Sequence, residues 1–512
     1  MNKEFLLAID LGTSSLVVSL LRFDGSIVQS RQAQLVTNFS PGGYAEQDAQ
    51  RWWQLTCRGI KQVLEAAEIN ASQIAGIGVD GTSWVCLPLD KRGVPLRPAM
   101  LWLDRRAEKQ ATWLKTAIGE RELFELSGNP VDAAYIVPKM LWLKEQEPLV
   151  YKQTAKFVQS NSYLVYKLSG EYSQDYSQGY GFHFFNMEKG SWDRGIAEEL
   201  GISLDLMAPL FASHEVVGQV TRQAALETGL TAGIPVVAGG LDAACCTLGA
   251  GVIKPGQTQE QGGQAGGMSI QLDEALKHEK LILSYHVIPN QWLLQGGTVG
   301  GGGTLRWFNE QFGAVEQGLG KARGLSAYAI MDEEAAKISP GSDGLLFLPY
   351  MAGERSPIWD SNAQGTFFGL SYEKTRAHII RSLMEGVGYS LLHNLETAEE
   401  LAIKVDVLKS VGGAASSEVW TQIKADITGK TIKVPAAKQA TSLGAAILAG
   451  VGVGVYGDFE EAVRQTVSIE RVHEPNGQNV ARYHNYYQLY LKLYENLKEL
   501  FPLVAKEGQA WD

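Results

Sequence analysis

Three stretches of this sequence place an aspartate beside glycine at the end of an apolar run: Asp10 in AIDLGTSS, Asp80 in GIGVDGTSW and Asp242 in VAGGLDAACC. Asp242 is the single acid between Val237 and Gly251, where a buried strand ends and a tightly packed helix is expected to begin. A carboxylate in that position either caps the helix, by accepting a bond from a free backbone N–H, or takes a proton from a bound hydroxyl. Asp10 falls at the tip of an expected hairpin, between strands at Phe5–Ile9 and Leu16–Phe23. The N–H groups and hydroxyls of Gly12, Thr13 and Ser14 suit a phosphate, and the Asp10 carboxylate can hold Mg²⁺ through water. Taken alone, such a tip is a plain turn.

Similar turns recur downstream. Gln257 to Leu272 repeats strand, glycine turn and strand, with Gly263, Gln264 and Gly266 in the turn, and two hairpins at corresponding places imply a duplicated domain. The run Gly296–Gly303, which includes Gly300, leads through Thr304 into a helix starting Leu305-Arg306-Trp307 and so offers an anion a helix N-terminus. Strand Val407–Val411 leads through Gly412, Gly413 and Ser416 into a helix over Glu418–Thr428, where glycine lets a flat or anionic group come close. Gly452, Gly454 and Gly457 have dinucleotide-fingerprint spacing. They follow a small-residue helix instead of a strand, so they read as a turn.

Polar residues also gather at other strand ends, where open α/β sheets hold ligands. Asp80, Thr82, Ser83 and Trp84 close the strand Ile74–Val79, and Trp84 either fills the core or lies against a substrate face. Asp104 and Arg106 follow apolar Met100–Leu103; they form either a surface ion pair, with Trp102 in the core, or a substrate contact. Lys139, Leu141 and Trp142, on a helix over Pro138–Glu145, read as packing. So do Tyr483, Tyr487, Tyr490, Tyr494, Leu497 and Phe501, which share one face of a terminal helix.

Holding these turns in place takes more than one core. At 512 residues the chain is expected to form two domains of similar size, joined near Lys254-Pro255-Gly256. Its 45% hydrophobic and 20% charged residues are those of a folded soluble protein, and 56 glycines imply many tight turns. A net charge of −11 with dispersed Lys and Arg argues against nucleic acid and anionic membranes as partners. Cys57, Cys86, Cys245 and Cys246 match neither a disulfide framework nor a metal site, and the first residues lack a signal-peptide pattern, so a cytoplasmic location is expected. Eight scattered histidines and the lack of a GxxxxGK[ST] loop disfavour a metallohydrolase or a P-loop enzyme.

The order of the pieces resembles the FGGY carbohydrate kinases of the actin, Hsp70 and sugar kinase superfold, over nearly the whole chain. The stretches that carry the resemblance best are Ala8–Ser15, Gly43–Trp53, Met100–Arg106, Pro138–Glu145, Val237–Gly251, Leu348–Leu370 and Val411–Gly429. The resemblance implies an α/β fold of two ribonuclease H-like domains with an interdomain cleft. Residues 1–252 would carry the sugar side and first phosphate loop, and 253–512 the nucleotide side. It implies ATP and Mg²⁺, and phosphorylation of a hydroxyl on a small ketose (xylulose-like) or polyol. Asp242 matches the catalytic base. Asp10, Gly12, Thr13 and Ser14 match the first phosphate loop, with Asp10 at the metal; Gly263, Gln264 and Gly266 match the second, Gly300 of the following glycine run is expected to bind phosphate as well, and Gly412, Gly413 and Ser416 fall in the adenosine region. Asp80, Thr82, Trp84, Asp104, Arg106 and Asp242 fall on the sugar side.

Departures from the family pattern concern the sugar and the nucleotide. Gln264 stands where many relatives carry Thr, Ala414 and Ser416 replace the more usual Gly and Lys or Arg, and Ala243 replaces an Asn. Ser83-Trp84-Val85 takes the place of the xylulokinase Met-His-Gly, while Gly353–Pro357 is xylulokinase-like and the text around Trp84 is nearer the ribulokinase branch. A nucleotide-dependent switch without turnover is the alternative reading, and a homodimer stays open.

Overall fold

The computed structural model describes residues 3–509. The chain divides into two units, one of Met1–Pro255, Gln271–Leu294 and Gln439–Ser468, the other of Gly256–Ile270, Gln295–Lys438 and Ile469–Asp512. The chain first crosses between the units after Pro255, and neither unit is one continuous segment such as 1–252 or 253–512. The returns of 271–294 and 439–468 to the first unit were not expected, because they are fixed by what those segments pack against and not by any linker-like composition.

The first unit is built on strands β1 (Phe5–Leu11), β2 (Ser15–Arg22), β3 (Ile27–Gln34), β4 (Ile74–Gly81), β5 (Val216–Gln219), β6 (Pro235–Val237) and the short β7 (Gly240–Leu241). Their order is β5-β6-β4-β1-β2-β3, with β7 also beside β4. β1 to β3 form an antiparallel meander, whereas β1, β6 and β7 run parallel to β4. Continuous apolar runs such as FLLAI suit the centre of such a sheet, since both faces are covered. The helix Ala49–Ala67 covers the sheet with Trp52, Leu55, Ile60 and Val63, and starts at Asp48, whose carboxylate accepts from the Gln50 N–H at 2.9 Å.

The small-residue runs around Asp242 and Thr441 have one explanation: two helices, Asp242–Gly249 and Ala440–Gly452, approach until backbone meets backbone. A Cβ on Gly444 would lie 1.9 Å from the Cys245 carbonyl oxygen, and one on Gly249 1.8 Å from that of Ala440. β4 is met as closely, since a Cβ on Gly78 would lie 1.9 Å from the Ala445 oxygen. Gly444→Ala is therefore expected to push the helices apart and to cost at least the ~1–3 kcal/mol of an overpacked core. Thermal unfolding checks this, and an unchanged melting temperature would refute the close packing.

The second unit repeats the plan. β8 (Thr258–Gly262), β9 (Gly266–Leu272) and β10 (Trp292–Thr298) precede β11 (Val407–Val411), β12 (Thr431–Pro435) and β13 (Ile469–His473), in the order β10-β9-β8-β11-β12-β13. β8 pairs antiparallel with β9 and parallel with β11, as β1 pairs with β2 and β4. Each unit thus has the α/β sheet that the duplicated hairpins implied. The terminal tyrosine face divides in two: Tyr483, Tyr487 and Tyr490 are buried on the helix Gly477–Leu497, and Phe501 opens a separate helix with Pro502 in its first turn, where a missing N–H costs nothing. Among the described residues no helix is long and apolar enough to cross a membrane.

Candidate active site

Register brings the acids together. Asp10 of β1 pairs with Asp80 of β4, and Asp80 pairs with Gly240 of β7, two residues before Asp242. Asp242 is the first residue of its helix, not its cap. The cap position is Leu241, which has no side-chain cap bond, and from inside the first turn the Asp242 carboxylate accepts one free N–H, that of the adjacent Ala243, at 2.7 Å. Asp242 is enclosed by protein but still reached by solvent, as is Asp10.

Burial dominates the electrostatics of all three. It pushes Asp242 up to about 7, helped by the charge of Asp10, and Asp10 up to about 6. Asp80, fully buried, is driven well above the ordinary carboxylate range, first by burial and then by the charges of Asp10 and Asp242. Neither Asp80 oxygen makes a well-formed hydrogen bond with a described group, although the Asp10 carboxyl is near enough to act on it.

The turn after β1 is held firmly. The Gly12 N–H donates to the Ser15 carbonyl at 3.0 Å, the Thr82 N–H donates to the Leu11 carbonyl at 2.9 Å, and the Thr13 and Thr82 hydroxyls lie 3.1 Å apart. Trp102 is not a core residue: half-buried, it donates from Nε1 to the Thr13 hydroxyl at 2.9 Å. Gln47 donates to the Thr13 carbonyl at 2.8 Å, and Ser14 is exposed at the tip.

Trp84 is 6% exposed, with its ring stacked on Tyr135 at 4.1 Å and tilted against Tyr180 at 5.6 Å. Its backbone is left-handed, φ 54°, and its indole N–H is buried without a partner among the described residues. Lys139 is more than packing. It donates to the carbonyls of Trp84, Leu101 and Ala134 at 2.9, 2.6 and 2.6 Å, and burial pulls it down to about 7.

Of the two alternatives for Asp104 and Arg106, the ion pair forms, but it is buried and not at the surface. Arg106 donates to Asp104 from Nε at 2.9 Å and from Nη2 at 2.7 Å, and lies 3.6 Å over the Tyr44 ring. Asp104 also accepts from the Ala45 N–H at 2.7 Å, so both its oxygens are occupied by the protein, while one Arg106 nitrogen, Nη1, lacks a partner.

A network that sequence reasoning passed over supports the strand ends. Asp175, fully buried and raised to about 6 by that burial, accepts from the Asn161 amide at 2.8 Å and the Gln178 N–H at 3.0 Å. Ser177 accepts from the Leu241 N–H at 2.9 Å, and the Gln178 amide donates to the Gly81 carbonyl at 3.0 Å. The run of polar residues Ser173–Gln178 was the available signal.

In the second unit the glycine run meets the hairpin tip. A Cβ on Gly301 would lie 2.3 Å from the Ala265 carbonyl carbon, one on Gly302 2.6 Å from the Gly263 oxygen, and one on Gly266 2.9 Å from the Gly300 oxygen. The Gly303 N–H donates to the Gln264 carbonyl at 3.0 Å, and the Gln264 side chain accepts from Arg306. A cavity of about 510 Å³ opens here, within the ~300–1,000 Å³ of small-molecule sites. Gly263, Gln264, Gly413 and Ser416 line it, whereas Gly266, Gly300 and Gly412, the last at φ 86°, are not among its lining residues. Ser326, the cap of a helix over Ala327–Ala336 whose sequence holds no motif, and Tyr328 and Asp332 on that helix also line it, and the Ser417 hydroxyl donates to Asp332 at 2.7 Å.

A duplicated sheet, carboxylates in register at one set of strand ends and a glycine-walled cavity at the other define a phosphotransferase, and the chain belongs to the FGGY family of carbohydrate kinases: the family's N-terminal domain matches residues 5–249 and its C-terminal domain residues 272–453. It is a carbohydrate kinase, with ATP as the phosphoryl donor. The xylulose kinase of Staphylococcus epidermidis is 33% identical over 502 residues, which cover 98% of each chain. The autoinducer-2 kinase of Yersinia enterocolitica is 31% identical, covering 94% of this chain and 92% of its own. The crystal structure of xylulose kinase from Rhodospirillum rubrum matches with a TM-score of 0.86 at 27% identity, covering 97% of this chain and 99% of that one.

Proposed function

We propose that the chain transfers the γ-phosphate of ATP to a hydroxyl of a xylulose-like ketose or a polyol, with Asp242 as the base. The observation that carries this is the Asp242 carboxylate: enclosed, reached by solvent, bound to one backbone N–H, and next to the acids of β1 and β4. As the acceptor oxygen forms its bond to phosphorus, the bond from phosphorus to the ADP oxygen breaks and the hydroxyl proton passes to Asp242. Full-length similarity to xylulose kinases supports the ketose.

Asp10 and Asp80 would hold Mg²⁺. The solvent-reached Asp10 carboxylate, with the buried Asp80 carboxyl beside it, fits a cation bound by few protein oxygens and several waters. The metal would offset charge on the phosphates. The glycine-walled cavity suits the nucleotide, with Gly263 and Gln264 near the phosphates and Gly412, Gly413 and Ser416 near the adenosine. Thr82, Trp84 and the free Arg106 nitrogen remain on the acceptor side. The dispersed charge and four free cysteines support a cytoplasmic enzyme without nucleic-acid partners.

The test is an ADP-release assay across ketopentoses, pentitols, glycerol and autoinducer-2. Transfer to a ketopentose or polyol is expected; turnover of none, by folded protein with ATP and Mg²⁺, would overturn the reading. The pH profile gives a second check. A base raised to about 7 accepts a proton only when ionised, so kcat/KM is expected to fall about tenfold per pH unit below pH 7 and to level off above it. A flat profile between pH 5 and pH 8 would exclude this base.

A further inference from the structure

A second cavity in the first unit stands apart from the carboxylates: neither Asp10, Asp80 nor Asp242 lines it. Its volume is about 200 Å³, below the ~300–1,000 Å³ of drug-sized sites, which restricts it to a small occupant. Aromatic rings form its walls. Tyr285 lies 5.8 Å from Tyr176 and 5.1 Å from Trp292, centroid to centroid.

Neutral polar groups complete the lining. Ser213 is 3% exposed and its hydroxyl has no partner among the described residues. His286 donates from Nε2 to the Val252 carbonyl at 3.1 Å, which leaves Nδ1 a partnerless acceptor, and burial pushes the ring down to about 4, so it is uncharged. Glu188 and Lys189 stand exposed at the cavity, and Glu188 is paired with Lys277 at 2.7 Å, outside the lining. Flat apolar rings with uncharged donors and acceptors between them match a carbon skeleton bearing hydroxyls, and the lining's two charged groups, Glu188 and Lys189, are both exposed. We infer that this cavity is a second binding site, for an uncharged sugar or polyol of about four to six carbons, separate from the acceptor site at Asp242.

The cavity shares its wall with the segment that carries Asp242. The Gly239 N–H donates to the Ser213 carbonyl at 2.9 Å, and the Leu241 N–H donates at 2.9 Å to Ser177, the neighbour of Tyr176. A Cβ on Gly240 would lie 2.5 Å from Val287 Cγ1 and 3.3 Å from Ser213 Oγ, so this strand has no slack against the cavity wall. An occupant therefore bears on residues 239–241 and alters how the acceptor is held, an effect that rests on the role proposed for Asp242.

The test titrates xylitol, ribitol and sorbitol calorimetrically into the full-length Asp242→Asn chain, then into the same chain carrying Tyr285→Ala or Ala212→Trp, with melting curves to confirm folding. At least one probe is expected to show two binding events, and each added substitution to weaken only one of them, by about tenfold or more. In the parent enzyme, a probe that is not itself phosphorylated is expected to shift the acceptor KM about fivefold, and Tyr285→Ala to abolish that shift. A single binding event for every probe, or two events untouched by both substitutions, overturns the inference. Should Tyr285→Ala fail to fold, Ala212→Trp, which fills the cavity from a half-buried position, carries the test. Failure of the kinase reading would look different: no turnover on any acceptor, with both binding events intact.

Discussion

Asp242→Asn is expected to lower kcat by about 10²–10⁴ while leaving acceptor binding and the fold in place. The asparagine oxygen can still accept the Ala243 N–H, and because the helix cap is Leu241, no cap is lost. Stability offers an independent reading. An aspartate whose folded pKa is raised to about 7 contributes its full stability only below its unfolded value of 3.8, and that stability is lost as pH rises toward 7. Asparagine does not titrate. The variant is therefore expected to melt higher than the parent at pH 8, with the difference shrinking as pH approaches 4. Parental turnover in the variant would remove Asp242 from the chemistry, and a lower melting temperature at pH 8 would contradict the burial that sets its pKa.

Trp84→Ala is expected to cost ~3–5 kcal/mol of stability, the range for deleting a large aromatic from a core. The ring is closed in by Tyr135 and Tyr180, and its carbonyl is one of three held by Lys139, so truncation opens a cavity beside the residues that fix the Leu101 and Ala134 backbone. Trp84→Phe separates packing from recognition. It keeps a ring on Tyr135 and removes only the buried, partnerless indole N–H, so stability is expected to change little. If that N–H serves the acceptor, the phenylalanine variant raises the acceptor KM at constant melting temperature. A parental KM would leave Trp84 a packing residue and return the choice of acceptor to other side chains.

The strand ends were legible because their physics is local: an apolar run stops, and polar and glycine residues follow. Which ends lie side by side was not, since the pairing of Asp10 with Asp80 and of Asp80 with Gly240 depends on strand order across hundreds of residues. The same limit explains Asp104 and Arg106. Nothing in the adjacent sequence reports that Tyr44, Glu46 and Trp142 enclose them. Lys139 looked like packing because a lysine bound to carbonyls has no sequence signature. Asp332 and Tyr328 escaped for a related reason: they lie on a helix that carries no motif, and only the folded cavity makes them neighbours of Gly263 and Gly413.

The return of 439–468 to the first unit has a consequence for how the protein is made. The bond from the Ser19 hydroxyl to Gln439 spans 420 residues, and the glycine-bared faces of β4 and of the Asp242 helix are filled by a helix at Ala440–Gly452. On the ribosome, β1, β2 and β4 emerge first and must wait until most of the chain has been synthesised before that cover arrives. Such distant pairing slows folding and leaves apolar surface open in the interval, at a synthesis rate of roughly 5–20 residues per second. A chain stopped after Pro255 lacks the helix altogether, so the first unit is not a detachable half but a structure whose completion waits for residues near the far end of the chain.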